Sequence, residues 1–99
     1  MTGNRPSRDA EAIAISDALT FDTVARMLAA SESWFRPDAG PLTIDLAGAT
    51  RVDSAGVALL LEWQERAERA GRKLNFVRAA EQVHQIVQVS GLGKALDLR

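Results

Sequence analysis

The stretch LTIDLAGATRVDSAGVALLLEW, residues 42–63, contains the signals of a strand, a loop and a helix in succession. In LTIDL, apolar side chains alternate with Thr43 and Asp45, and such alternation is typical of a β-strand with one buried face. After RVDSAG, residues 51–56, the apolar residues recur at the helical period instead. The stretch therefore predicts a strand that leads through a polar loop into a long helix, as in α/β folds.

The long helix is predicted to begin at Ser54 and to end at Gly71. Ser54 is expected to be its N-cap, because a serine hydroxyl accepts a hydrogen bond from a free amide of the first turn. Gly71 is expected to stop the helix in the left-handed conformation. Ala58 and Leu61 fall outside the apolar face, so they are either ordinary exposed residues or part of a contact surface. The apolar face consists of Leu59, Leu60, Trp63, Ala67 and Ala70.

Two further strands and two further helices are predicted around this unit. Thr20 is expected to cap a helix that starts at Phe21, and Gly91 is expected to end a helix over residues 80–90. The strands have β-branched or alternating apolar residues, and a short final element follows the last helix. These segments are EAIAI at 11–15, KLNFV at 73–77 and GLGKALDL at 91–98.

The alternation of strands and helices along the chain predicts an α/β fold. A helix between successive strands makes neighbouring strands largely parallel. In such a sheet, ligands and partners dock on the loops that follow the carboxyl ends of the strands. The loop AGATRVDSAG, residues 47–56, is expected there and is therefore the candidate functional region.

Length and composition indicate one small globular domain. The 99 residues suffice for one hydrophobic core, and residues 1–10 are expected to be a flexible arm before a single domain over residues 11–99. The net charge is -1, with 12 basic against 13 acidic residues, so no nucleic-acid partner is expected. The chain has neither a long apolar run nor a hydrophobic N-terminal segment, so we expect no direct membrane insertion and a cytoplasmic location.

Composition and spacing also exclude several kinds of catalytic chemistry. With no cysteine and one histidine, the chain lacks the ligands for a thiolate zinc site or a histidine-rich metal centre, and no cofactor is expected. A serine hydrolase is excluded because Val52 replaces the first glycine of G-x-S-x-G and no suitable acid and histidine follow Ser54. GLGK, residues 91–94, lacks the spacing of a phosphate-binding P-loop.

The charged residues near the loop and at the end of the long helix are expected to be structural. Asp45 and Asp53 make a poor metal site or acid–base pair without a histidine. Asp53 is expected instead to accept hydrogen bonds from loop amides. The basic residues at the helix end interleave with glutamates, which favours a solvated face. They are Arg66, Arg69, Arg72 and Lys73.

Ser54 is compatible with more than a capping role. The small residues Ala55 and Gly56 are expected to leave the helix start uncovered, so that another protein or a kinase can approach the backbone. Phosphorylation of Ser54 would add about -2 charge at the favourable end of the helix dipole but directly beside Asp53. A phosphorylation switch is therefore physically possible.

Beyond these patterns, residues 42–92 resemble the STAS domain family. That family includes bacterial anti-sigma-factor antagonists, the tails of sulfate transporters and small accessory subunits of lipid-transport ABC systems. The resemblance implies an α/β fold with a mixed sheet of four or five strands and helices mainly on one face. It also places Ser54, with Asp53 and Gly56 around it, at the position where antagonists are phosphorylated by an anti-sigma kinase. SDALTFD, residues 16–22, departs from the G-E-L-D of the antagonists.

The run VDSAGVALLLEW, residues 52–63, is more similar to the MlaB branch of the family, which serves the Mla phospholipid transporter. This similarity implies a non-catalytic subunit at the cytoplasmic face of the inner membrane, in a system that maintains outer-membrane lipid asymmetry. Its partner would be an MlaF-like ABC ATPase and, through it, the permease. The alternative is an anti-sigma-factor antagonist that is switched by phosphorylation of Ser54. The expected partner-binding residues are Asp53, Ser54, Ala55, Gly56, Ala58 and Leu61.

Overall fold

A computed structural model describes residues 10–37, 39–91, 96 and 98 of the chain. Nearly all of the predicted N-terminal arm, and most of the final element that was predicted at residues 91–98, lie outside the described residues. The elements alternate as predicted, with a short 3₁₀ helix inserted after the first α-helix. In order they are β1 (Glu11–Ala14), α1 (Val24–Ala30), the 3₁₀ helix (Glu32–Trp34), β2 (Leu42–Asp45), α2 (Ser54–Arg69), β3 (Leu74–Val77) and α3 (Glu81–Ser90).

The three strands form a parallel sheet in the order β1-β2-β3, which confirms the predicted α/β fold. Ile13 of β1 lies opposite Ile44 of β2, which lies opposite Phe76 of β3. A single parallel bridge joins Phe76 to Leu98 and extends the pairing beyond β3. The resemblance implied a mixed sheet of four or five strands, whereas all strand pairs among the described residues are parallel and three strands are formed.

One face of the sheet carries the hydrophobic core. In β2 and β3 the first and third residues are buried, whereas the second and fourth are only partly buried. Helix α2 lies centrally, since it contacts both α1 and α3. The alternation therefore placed the core side of β2 and β3 correctly. The largest fully buried side chains include Trp63, Phe76, Leu19, Leu42, Ile44, Leu46 and Leu60.

Helix α1 begins three residues later than a Thr20 cap would place it. The residue that precedes its first turn is Thr23, whose hydroxyl donates to the carbonyl of Ala18 at 2.6 Å and accepts the amide of Thr20 at 3.0 Å. Because Thr23 thereby closes a turn over residues 20–23, the helix starts only at Val24. The ends of the other helices agree with the predictions, and Gly71 and Gly91 adopt φ values of 68° and 78°.

Arg72 is buried and does not belong to the solvated basic face that the sequence predicted. Its guanidinium donates to the carbonyl of Gly40 at 2.5 Å, to the carbonyl of Trp34, and to a Glu11 carboxylate oxygen at 2.5 Å. These acceptors come from segments far apart in sequence, so helical spacing could not reveal them. Arg72 thus ties β1 and the segment before β2 to the end of α2.

Two tryptophans pack together between the 3₁₀ helix and α2. Trp63 is fully buried, and its indole nitrogen donates to the hydroxyl of buried Ser31 at 2.9 Å. The ring centroids of Trp34 and Trp63 lie 5.0 Å apart at a tilted angle, which is a favourable aromatic arrangement. This pair anchors the segment after α1 to the middle of α2.

An ion pair fixes the connection from β3 to α3. Arg78 adopts a left-handed backbone conformation, with φ of 58°, and its guanidinium binds both carboxylate oxygens of Asp45. The hydrogen bond from Arg78 is the main reason why the pKa of Asp45 lies below its ordinary value, and the amide of Ala47 also contributes. Asp45 therefore has a structural partner, in agreement with the sequence analysis.

Candidate functional site

The start of α2 lies at the carboxyl edge of the sheet, where the loops after β1 and β2 meet. The Leu19 amide donates to the carbonyl of Arg51 at 2.9 Å, and the Asp53 amide donates to the carbonyl of Leu19 at 3.2 Å. Leu19 also forms a parallel bridge with Val52, and both side chains are buried. The two loops are therefore fastened together, and they present the first turn of α2 from a fixed support.

Asp53, and not Ser54, is the N-cap of α2. One carboxylate oxygen of Asp53 accepts the amide of Gly56 at 3.0 Å, and the other accepts the amide of Phe21 at 3.0 Å. The sequence correctly indicated that Asp53 binds loop amides but wrongly assigned the cap to Ser54, which is the first helical residue. A carboxylate can accept hydrogen bonds from two amides at once. Ser54 lies one residue inside the helix, so its hydroxyl is not in the capping position.

The same two amide bonds, first that of Phe21 and then that of Gly56, hold the pKa of Asp53 below its ordinary value. Asp53 is consequently a carboxylate at neutral pH. Its negative charge lies at the positive end of the α2 dipole, where it is stabilising.

Gly56 is required because the backbone of Leu19 lies directly against it. A Cβ at this position would lie 2.0 Å from the Leu19 carbonyl oxygen and 2.7 Å from its carbonyl carbon. The expectation that Gly56 leaves the helix start uncovered is therefore wrong, since Leu19 covers it and Gly56 is buried. Ala55 is half-buried. The participation of these two residues in partner binding stays a prediction.

Ser54 is exposed, and no hydrogen bond joins its hydroxyl to another described residue. It lies at one wall of a mainly apolar groove of about 370 Å³ between α2 and α3, which we call the apolar groove. Its lining includes two apolar side chains, those of Val89, which is 88% exposed, and of half-buried Ile86. The full lining is Ser54, Gln85, Ile86, Val89 and Ser90.

Ala58 and Leu61 continue from Ser54 along one stripe of α2, because residues spaced by three or four positions share a helix face. Ala58 is exposed, as its position off the apolar face predicted. Leu61 is only half-buried but packs against the core, so it is partly a structural residue. Ser54, Ala58 and the exposed side of Leu61 form the α2 part of the candidate site.

Sequence reasoning missed two exposed apolar residues near this site, Phe21 and Val89. Phe21 is 79% exposed, and its amide is held by Asp53. It was assigned to the first turn of a helix, so its exposure in a loop had no signal in the sequence. Val89 could have been found, because helical spacing separates it from Val83 and Val87, which are buried.

A second cavity lies beside the same helix start. It has a volume of about 230 Å³ and is largely polar, and we call it the polar cavity. Asp53 lines the polar cavity, while the next residue, Ser54, lines the apolar groove. The lining residues are Thr20, Asp22, Arg51, Val52, Asp53 and Gln82.

Two properties of the described residues bear on function. None of the helices in residues 10–37 and 39–91 is long and apolar enough to cross a bilayer. The same part of the chain contains no cluster of three or more histidine, cysteine, aspartate or glutamate side chains suited to a metal ion. The site itself consists of a capped helix start, an exposed hydroxyl and two adjoining cavities.

Comparison with known proteins gives one family match. The family described as Mlab, STAS domain, matches residues 3–99. No match is found among curated proteins.

Solved structures share the fold at low sequence identity. A putative anti-sigma factor antagonist from Thermotoga maritima is 9% identical, with a TM-score of 0.69, over 88% of this chain and 77% of that one. A sulfate transporter family protein from Wolinella succinogenes is 18% identical, with a TM-score of 0.70, over 89% of this chain and 71% of that one. The murine Slc26a9 anion transporter in the inward-facing state is 19% identical, with a TM-score of 0.70 over 84% of this chain. The match spans only 14% of the murine transporter.

Proposed function

This chain belongs to the STAS domain family, and from that premise we propose that it is a non-catalytic accessory subunit of a phospholipid-transport ABC complex. In this proposal it binds the ATPase subunit of the complex, an MlaF-like protein, and stabilises or activates it. Contact with the permease is indirect, through the ATPase. The chain thereby lies at the cytoplasmic face of the inner membrane without inserting into it and contributes to outer-membrane lipid asymmetry.

The observation that carries this proposal is the exposed apolar surface around Ser54. Val89 of α3 is exposed and lines the apolar groove together with Ser54. Ala58 of α2 is exposed on the stripe that starts at Ser54. Exposed apolar residues that cluster in this way mark protein-interaction sites more often than isolated ones do. Asp53 and Gly56 support this surface. The Asp53 carboxylate binds the Phe21 amide, and the absence of a side chain at Gly56 lets the Leu19 backbone pack against the helix start.

The match to the MlaB-type family supports an ATPase as the partner. Asp53, Ser54, Ala55, Gly56, Ala58 and Leu61 form the proposed α2 contribution. We assign Ser54 and Ala58 to direct contact because they are exposed, and Gly56 to positioning because it is buried.

The test is binding of the purified chain to the purified ABC ATPase from the same organism, measured by calorimetry. Ala58→Asp and Val89→Asp place a charge on the proposed surface and should weaken binding at least tenfold. Their matched controls are Ala29→Asp on α1 and Gln88→Asp on α3, both of which change exposed residues elsewhere. Leu61→Asp is a poorer probe because Leu61 packs against the core.

Circular dichroism at 25 °C would establish that all four variants are folded. Absence of any complex with the wild-type chain would refute the proposal. Equal weakening by the control variants would refute the assignment of the surface but not the proposal that the ATPase is the partner.

A second candidate function rests on the exposed Ser54 hydroxyl, which no described residue engages. We propose as the alternative an anti-sigma-factor antagonist that loses its partner when Ser54 is phosphorylated. A phosphate would lie beside the Asp53 carboxylate, so it would alter a docked interface by like-charge repulsion. This chain shares the fold of the Thermotoga maritima protein, whose putative role is that of an antagonist.

Incubation with the candidate kinase and ATP, followed by mass spectrometry, would test the alternative. It predicts one phosphate on Ser54, none on Ser54→Ala, and loss of kinase binding in Ser54→Asp. An unmodified Ser54 after incubation with every anti-sigma kinase of the organism would exclude it.

A further inference from the structure

The polar cavity adjoins the proposed docking surface but has a different chemistry. The two cavities lie next to each other, because Asp53 lines the polar cavity and the following residue, Ser54, lines the apolar groove. A protein that docks on the start of α2 can therefore also reach the polar cavity. A side chain that enters this cavity must form polar contacts with its walls and fit within about 230 Å³.

Negative charge predominates in the polar cavity. Its lining contains two carboxylates, those of Asp22 and Asp53, and one guanidinium, that of Arg51. Among the described residues, none of these three groups forms an ion pair with another residue. The carboxylates are thus available to a cation, apart from the amide bonds that Asp53 accepts.

A helix start ordinarily favours anions, so the positive end of α2 has to be considered. Here the Asp53 carboxylate already occupies that end, since it accepts the amide of Gly56 at 3.0 Å. An added anion would meet this carboxylate at close range, and repulsion would oppose its binding. The cap therefore reverses the usual preference of the helix start.

Thr20 gives a second, independent sign that the cavity receives a ligand. It is nine-tenths buried and lines the polar cavity. Its amide and carbonyl bind Thr23, but no hydrogen bond joins its hydroxyl to another residue in the described part of the chain. The hydroxyl oxygen itself is not enclosed by the protein, so it is open to the cavity, where a donor from a docked protein would supply a partner.

We propose that the polar cavity receives a basic side chain, an arginine or lysine, from the protein that docks on the start of α2. This inference rests on the proposed function for the identity of that protein. The carboxylates of Asp22 and Asp53 and the hydroxyl of Thr20 accept hydrogen bonds from the inserted cation. Phe21 lies between two lining residues and is 79% exposed, so its ring is available for a cation–π contact at the rim.

The experiment measures the affinity of the purified chain for the ABC ATPase at low and high sodium chloride. Asp22→Asn removes one carboxylate at little change in volume and should weaken binding about fivefold at low salt, the upper range for an exposed ion pair. Arg51→Gln removes the competing cation and should strengthen binding. The salt dependence should decrease in Asp22→Asn, because screening acts on the lost attraction.

Glu32→Gln is the matched control, since Glu32 is an exposed carboxylate on the 3₁₀ helix, outside both cavities. It should leave the affinity unchanged. Wild-type affinity in Asp22→Asn, or weaker binding in Arg51→Gln, would overturn the inference. The opposite signs would indicate an anionic ligand instead.

A partner-independent measurement separates this inference from the proposed function. Titration with arginine amide should shift the NMR signals of the Phe21 and Gly56 amides, which the Asp53 carboxylate binds. Asp22→Asn should reduce these shifts, whereas sodium chloride at equal ionic strength should not reproduce them. If the wild-type chain does not bind the ATPase but arginine amide produces these shifts, the proposed function fails and the cavity assignment stands. Absence of the shifts from the wild-type chain would refute the assignment.

Discussion

The Asp53 carboxylate accepts the backbone amide of Phe21 at 3.0 Å, across 32 positions of sequence. The same carboxylate caps α2 through Gly56. One side chain therefore joins the loop after β1 to the first turn of the longest helix. The shape of the candidate docking surface therefore depends on the two amide bonds that Asp53 accepts.

Replacement of Asp53 should therefore cost more stability than replacement of Ser54. Asp53→Ala removes the cap and the bond to Phe21, and it should lower the melting temperature by about 4–8 °C. Ser54→Ala removes an exposed hydroxyl without a partner among the described residues, so its melting temperature should stay within about 2 °C of wild type. Thermal unfolding followed by circular dichroism compares the two. A larger loss in Ser54→Ala would contradict the assignment of the cap.

Gly56→Ala should destabilise the domain severely, because the new methyl group meets the Leu19 backbone and not a movable side chain. We expect a loss of about 3 kcal/mol or more in the free energy of unfolding. Gly91→Ala is the comparison, since among the described residues no atom beyond its own chain neighbours lies within 4 Å of the added Cβ, and the φ of 78° is the unfavourable feature. Its cost should be about 1 kcal/mol. Urea unfolding measures both, and equal losses would show that steric contact is unimportant at Gly56.

Arg72 should not be replaceable by lysine. Its planar guanidinium serves the carbonyls of Gly40 and Trp34 and the Glu11 carboxylate at once, and a single ammonium group cannot match that geometry. Arg72→Lys and Arg72→Ala should each lose about 2–3 kcal/mol, because half-buried carbonyls lose their donors. The control Arg69→Lys changes an exposed residue and should be nearly neutral. Wild-type stability in Arg72→Lys, measured by urea unfolding, would show that charge alone suffices.

Stability should fall on acidification, because several carboxyl groups have a pKa below the ordinary value in the folded state. Such groups stabilise the fold at any pH above their unfolded pKa, about 4, and this contribution is lost as the pH falls through the folded pKa. The urea midpoint should thus be nearly constant from pH 7 to 5 and decrease from pH 4 to 3. These groups are Glu11, Asp17, Asp45, Asp53 and Glu62.

A variant can test the origin of this acid dependence. Arg78→Gln removes the main partner of the Asp45 carboxyl group, so the pKa of Asp45 should rise and the decrease below pH 4 should become shallower. Arg51→Gln, which changes an exposed arginine that forms no ion pair with a described residue, should retain the slope of the wild-type chain. A urea midpoint of the wild-type chain that rises between pH 4 and 3 would contradict the prediction that stability falls on acidification.

Local sequence signals were sufficient for the main elements. Alternation in LTIDL predicted which residues of β2 face the core, and Gly71 marked the end of α2, because both signals act within a few residues. The choice between Asp53 and Ser54 as the cap was not decided locally. Both are good capping residues, and the second amide that favours Asp53 comes from Phe21, 32 positions away.

Long-range contacts also explain the other corrections. Arg72 is an ordinary terminal cation by helical spacing, yet Glu11, 61 positions away, and two backbone carbonyls draw it inside. Gly56 is a small residue near a helix start in any local analysis, and only the packing of Leu19 shows that the backbone approaches closely there. Residues whose partners lie on other elements are thus the ones that local patterns misassign.

The tryptophan pair provides an intrinsic fluorescent probe of folding. Trp63 is nine residues beyond Ser54, about 13.5 Å along α2, and it is fully buried against Trp34. Because the Trp63 ring is fully buried, a protein that docks on the exposed side of α2 does not contact it, so the emission of Trp63 should respond more to unfolding than to docking. The folded fraction of the chain can therefore be followed inside a complex with a tryptophan-free partner, without a dye and without disturbing the surface under study.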